Sequence, residues 1–179
     1  VIRVFSMREI GGLFQTAERF CNNNLLCYLN ADMILPPNFM QIVKSLVKIK
    51  NKFLAVGHRW DIDIDYKINF KSEKKLEKFW TDARINSIRH PCTGIDYFVF
   101  KKGTFKYIPE LVVGRPGWDN WLLWKTRHMR IPLIDLSENI FALHQNHSFK
   151  FAGYKNQADV YQSAETLKNK KIINKNKLN

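Results

Sequence analysis

Disulfide chemistry has little to work with in this chain. Cysteine occurs three times, at Cys21, Cys27 and Cys92, and no two form a Cys-x-x-Cys pair. An odd number without paired spacing fits free thiols in a reducing compartment and argues against a zinc site built on cysteine. Long apolar runs are also missing: none approaches the ~20 residues that a membrane-spanning helix needs. No charged-then-apolar leader opens the chain, so a cytoplasmic location is expected, and the sequon at Asn146-His-Ser148 reads as chance. The first residues, Val1-Ile-Arg-Val-Phe5, read instead as a strand already inside a fold. Acidic residues are few, 16 against 29 Lys and Arg, which leaves a formal charge of +13. No internal repeat is visible.

What is present is enough for one domain. A chain of 179 residues buries roughly 70% of its unfolded surface, and thirteen Phe and five Trp supply large apolar surfaces. Residues 1–150 read as that domain, and 151–179 as a basic, helical or frayed tail. From Lys150 onward seven Lys stand against Asp159 and Glu165, so the tail supplies +5 and the body +8. Such an excess favours anionic partners: nucleotides, a membrane surface touched peripherally, or nucleic acid. No recognised nucleic-acid motif accompanies it, which disfavours the last. A compositional bias toward Lys, Asn and Ile is the plain alternative.

The spacing of apolar residues predicts a strand at Val1–Met7, a helix over Leu13–Cys21, a strand at Leu25–Leu29, a helix capped by Asn38 with Ile42, Val43, Leu46 and Val47 inward, and a strand at Phe53–Trp60. That strand–helix alternation argues for a mostly parallel central sheet flanked by helices. Asp61–Asp65 alternates like a half-exposed strand. Further elements are a polar helix over Ser72–Ile88, strands at Tyr97–Phe100 and Ile131–Leu136, a Gly114–Gly117 turn, an aromatic helix over Trp118–Met129, and a fraying end from Asn169.

Five features could carry chemistry. Asn30-Ala31-Asp32 ends the second strand, where ligands bind in open α/β sheets; an amide and a carboxylate there suit a divalent cation or a plain turn. Asp61-x-Asp63-x-Asp65 resembles half a calcium loop, but Tyr66 stands where glycine is needed and Ser72 where glutamate is, so a solvated strand face is the better reading. Gly114-Arg-Pro-Gly-Trp-Asp-Asn-Trp121 places Asp119 at a helix start, either as a helix cap or as a base for a hydroxyl, with the tryptophans as core or as sugar-facing surface. His144 and His147, three apart after a strand, suit either a surface turn or a metal sphere completed by Asp32. Arg59 reads as a diphosphate partner or as half of an ion pair with Asp61 or Asp63.

Taken in order, Cys-Tyr-Leu-Asn-Ala-Asp-Met-Ile-Leu-Pro (27–36), Val-Gly-His-Arg-Trp-Asp-Ile-Asp-Ile (56–64), Ile-Asp-Tyr-Phe-Val-Phe (95–100), Gly-Arg-Pro-Gly-Trp-Asp-Asn-Trp (114–121), Ile-Pro-Leu-Ile-Asp (131–135) and His-Gln-Asn-His (144–147) resemble the nucleotide-sugar glycosyltransferases of the GT-A fold, nearest to the family-2-like group. The resemblance spans roughly residues 10–150. It implies an α/β nucleotide-diphospho-sugar transferase fold whose N-terminal nucleobase-gripping strand is short or absent. It implies transfer of a sugar from a nucleoside-diphosphate donor to a glycan or other hydroxyl acceptor with inversion, helped by Mn²⁺ or Mg²⁺. The roles it implies are Asp119 as catalytic base, Asn30, Ala31, Asp32 and Arg59 on the donor, Trp118, Asn120 and Trp121 on the acceptor, and Asp32 with His144 and His147 on the metal. A catalytically silent carbohydrate- or nucleotide-binding remnant of the same fold is the alternative.

Overall fold

The computed structural model describes residues 9–148 and 153–177. The strand expected at Val1–Met7 lies outside them. The chain is α/β, and among the described residues the strands form two mixed four-stranded sheets rather than one mostly parallel sheet. The first sheet has the order β1 (Leu25–Leu29), β6 (Tyr97–Lys101), β3 (Leu54–Val56), β7 (Leu133–Asp135). β6 is antiparallel to both β1 and β3, whereas β3 and β7 are parallel. Three strands therefore point one way around a reversed β6. The expectation of parallel pairing fails because strand–helix alternation fixes direction only for consecutive units, and β6 inserts between them from far along the chain.

β6 is the centre of the core. Tyr97, Phe98 and Val99 are 0% exposed and Phe100 is 1%, the continuous apolar run of a strand covered on both faces. Side chains alternate across a strand, so Phe98 and Phe100 meet Ile10 and Phe14 of α1 (Ile10–Phe20) and Trp118, Trp121 and Leu122 of α4 (Trp118–His128). Phe14 and Phe100 stack at 4.5 Å. Tyr97 and Val99 face Phe39, Val43 and Leu46 of α2 (Phe39–Leu46). Each such side chain contributes roughly 1.5–3 kcal/mol on burial. Of the expected inward face of α2, Val47 is instead 59% exposed, since the helix ends one residue earlier. Asn38 makes no side-chain cap; its amide donates to the carbonyl of Asn139 at 3.3 Å.

The second sheet has the order β2 (Met33–Ile34), β8 (Ala142–Gln145), β4 (Arg59–Ile62), β5 (Ile88–Arg89), and α3 (Glu73–Asn86) packs on it through Phe79 and Ala83 against Ile62 and Leu143. Two strands of the first sheet lead directly into the second: β1 through Asn30–Asp32 into β2, and β3 through Gly57-His58 into β4. The single strand expected over Phe53–Trp60 is thus two strands in two sheets. Gly57 sits where they part, because a Cβ there would lie 1.9 Å from the Tyr97 hydroxyl.

Among the described residues the tail is helical, the first of its two expected forms, and Asn169 does not begin a frayed end. It forms α5 (Gln157–Gln162) and α6 (Ala164–Lys177), and Asn169 is fully buried. Its Oδ1 accepts from the Val112 N–H at 2.7 Å, and its Nδ2 donates to the Val112 carbonyl at 3.0 Å and to the Pro116 carbonyl at 3.4 Å. Lysine and asparagine composition hides this anchor, because one buried amide satisfies backbone that no apolar stripe would. Asn169→Leu strands a buried N–H and carbonyl, so it is expected to cost about 2–5 kcal/mol in chemical denaturation; a loss below about 1 kcal/mol would show that the clamp contributes little.

Candidate metal centre

The seam between the sheets gathers polar residues from four strand ends. β8 lies between β2 and β4, and its His144 is in register with both Met33 and Asp61. That register sets the imidazole, 8% exposed, between Asp32 at the start of β2 and Asp61 on β4. His144 Nε2 is 3.5 Å and His147 Nε2 3.0 Å from Asp32 Oδ2. One ligand atom from each of the three lies within 4.8 Å of the others. Asp32 Oδ1 is buried without a hydrogen-bond partner. An orphaned carboxylate oxygen beside two imidazole nitrogens is what a cation site asks for.

A second layer orients this trio. His144 Nδ1 lies 3.0 Å from Asp61 Oδ1, so donation of its proton to Asp61 leaves the Nε2 lone pair directed at Asp32, the carboxylate–histidine arrangement that fixes metal-ligating imidazoles. Asp61 is itself held by Arg59 Nε at 3.0 Å and by His90 Nδ1 at 2.5 Å. Arg59 Nη1 reaches Asp96 Oδ2 at 2.5 Å, and the Asn30 amide donates to Asp96 Oδ1 at 2.5 Å. The cluster carries three carboxylates (Asp32, Asp61, Asp96) against one guanidinium, −3 + 1 = −2 before its histidines are counted, a balance that suits a divalent cation.

Burial pushes the carboxyls of Asp32 and Asp61 up, but their partners prevail. For Asp32, the contacts with the His144 and His147 imidazoles leave the pKa at about 2. For Asp61, the His90 hydrogen bond and the Arg59 charge hold it below the ordinary carboxylate value. Both are therefore ionised at neutral pH. Asp61→Asn is expected to weaken Mn²⁺ binding about 10–100-fold, read by calorimetric titration; unchanged affinity would remove Asp61 from the orienting role.

A cleft of about 540 Å³ opens beside the trio, lined among others by Tyr28, Asn30, Asp32, Arg115, His147 and Tyr154. Ala31 lines it too. Arg115 lies over the Tyr154 ring at 4.8 Å and donates to its hydroxyl at 3.0 Å, while its Nε is buried without a partner. Gly114 and Gly117 adopt φ of 69° and 104°, the left-handed backbone that lets this turn place Arg115 in the cleft and then start α4. Trp118 packs edge-on against the cleft residue Tyr28 at 5.2 Å, which fixes the first turn of α4 nearby. On that turn burial raises the Asp119 pKa, and the charge of Asp96 adds to the rise against the opposing Asn120 N–H.

Several expected roles are corrected by this geometry. Arg59 is committed to Asp61 and Asp96, so it orients the seam rather than meeting a diphosphate. Trp118 and Trp121 are 5% and 2% exposed; they are core and offer no surface to an acceptor. Asn120 is exposed, and its backbone N–H and side-chain amide both donate to Asp119 Oδ1, at 2.8 and 3.3 Å. Asp119 is not the helix cap, a place held by Gly117. Asn30 serves Asp96. Asp63 accepts from the Asn146 amide at 3.0 Å, and β4 ends before it, so the Asp61–Asp65 run is neither a calcium loop nor one strand. Asp61, His90, Asp96 and Tyr154 were not singled out for the site from sequence; the first signal for them is pairing across 29 to 83 residues.

Comparison with protein-family models, with curated proteins and with solved structures returned no match.

Proposed function

We propose that this chain is a metal-dependent glycosyltransferase that moves a sugar from a nucleoside-diphosphate donor to a hydroxyl acceptor with inversion. The observation that carries this reading is the gathering of Asp32, His144 and His147, with an unpartnered carboxylate oxygen, beside a cleft lined by Asp32 and His147 and large enough for part of a phosphorylated sugar. The ordered sequence motifs add support.

The three side chains would hold the cation, and two imidazoles in the donor set favour Mn²⁺ over the harder Mg²⁺. When bound, the ion supplies charge stabilisation for a departing diphosphate. The protein's own groups do the rest. Arg115 lines the same cleft with a free Nε–H and can meet phosphate oxygens. Asp119, with a raised pKa, accepts the acceptor's hydroxyl proton. The acceptor oxygen bonds to the anomeric carbon while the bond from that carbon to the phosphate oxygen breaks, and the electron pair leaves with the diphosphate. The Asp61–Arg59–Asp96 chain keeps His144 in the orientation this requires.

The test is a screen of nucleotide sugars with Mn²⁺ present, reading released nucleotide and, for any product, the anomeric configuration by NMR. Turnover with inversion is expected. Nucleotide binding without turnover would identify a binding domain, and a retained configuration would overturn the inverting mechanism.

A further inference from the structure

The loop between β4 and α3 keeps apolar surface outside the fold. Tyr66 and Phe70 are 55% and 62% exposed. The loop is nevertheless anchored: Ile68 and Leu76 pack with Phe79, and the Asn69 side chain accepts from the Lys71 N–H at 3.0 Å. Exposed lysines surround the two rings. Lys67, Lys71, Lys75 and Lys78 share with Tyr66 and Phe70 two shallow clefts of about 460 and 520 Å³. Over residues 66–78 five Lys stand against two Glu, +5 − 2 = +3. Lys78 also pairs with Asp82 at 2.9 Å, an exposed contact that competes only weakly with other anions.

We propose that this surface docks on an anionic lipid bilayer. Rigidly presented aromatic rings partition to the headgroup level, and the lysines around them meet lipid phosphates and carboxylates. A polynucleotide would be drawn by the same charge. However, residues 66–78 contain no arginine, the side chain whose planar fork suits nucleic-acid recognition, and rings set among ammonium groups around apolar clefts suit acyl chains better. No helix among the described residues is long and apolar enough to cross a membrane, and surface attachment is the mode proposed. The start of the loop is tied to β8, since the Gln145 amide donates to the Ile64 carbonyl at 3.3 Å. The proposal stands on exposure and charge alone and holds whether or not the chain transfers sugars.

The experiment is co-sedimentation of the whole chain with vesicles of phosphatidylcholine alone or with about one-third phosphatidylserine. Two variants of equal charge change are compared: Lys67→Glu/Lys71→Glu in the loop, and Lys170→Glu/Lys171→Glu on exposed positions of α6. Binding to phosphatidylserine vesicles is expected to fall about 30-fold or more in the loop variant and far less in the tail variant. Raised salt should weaken it. Phe70→Ser should lower it about 10-fold without changing charge, with an unchanged melting curve showing the fold intact. No binding to phosphatidylserine vesicles, equal losses in the two charge variants, or preferential capture by a single-stranded polynucleotide added in competition would overturn the proposal.

Discussion

Asp119→Asn is expected to lower turnover by about 10²–10⁴-fold, the contribution of a positioned general base, while leaving donor binding nearly intact and the fold no less stable. The stability half of this expectation follows from the sign of the shift. The folded-state pKa of Asp119 is raised by burial and by the charge of Asp96. A carboxylate with a raised pKa costs stability when ionised, so at neutral pH the native state is held down by this charge, and it recovers as pH falls through the folded pKa. Asparagine removes the charge and keeps an oxygen for the Asn120 N–H. The melting temperature at pH 7 should therefore stay level or rise. A loss of activity matched by a loss of stability would instead assign Asp119 a structural role. In the same vein, kcat/KM of the wild-type chain should decline on the acid side with an apparent pKa above the ordinary 3.8 of an aspartate.

Removing the cation should have an effect of comparable size. Chelation is expected to abolish turnover, Mn²⁺ to restore it, and Mg²⁺ to restore it poorly because two of the three protein donors are imidazoles. Asp32→Ala should resist rescue by either ion, since it deletes the only carboxylate of the trio. The variant also leaves His144 and His147 facing each other, with ring centroids 5.5 Å apart in the wild type, so residual weak binding through two nitrogens is compatible with the account. Full metal-dependent activity in Asp32→Ala is not.

The parts of this site that local sequence reveals are those whose neighbours constrain them. Leu25–Leu29 is an apolar run with the length of a strand, and it is followed at once by Asn30-Ala31-Asp32, so Asp32 announces itself at a strand end. His144 and His147 have a spacing that lets both meet one point, although His144 lies on β8 itself rather than after a strand. Asp61 has no such local signature. In sequence it belongs to an alternating acidic run, and only the register of β4 against β8 shows that it faces His144 while Asp63 faces Asn146 instead. Asp96 is equally silent, because its partners Asn30 and Arg59 come from two other strands. The reversed direction of β6 is hidden for the same reason: its run of Tyr97–Phe100 says that both faces are buried but not which way the strand points. The tryptophans of α4 mislead differently. An indole before a carboxylate suits both a core and a sugar-binding wall, and the ring contacts with Tyr28 and Phe98 decide for the core.

The most direct measurement is crystallographic. A crystal soaked in Mn²⁺ and recorded at the manganese absorption edge should show one strong anomalous peak bounded by an Asp32 oxygen and the Nε2 atoms of His144 and His147, at roughly 2.0–2.4 Å from each, with Asp61 still on His144 Nδ1. A peak elsewhere, or none at concentrations that support activity, would contradict the assignment of the seam as a metal centre.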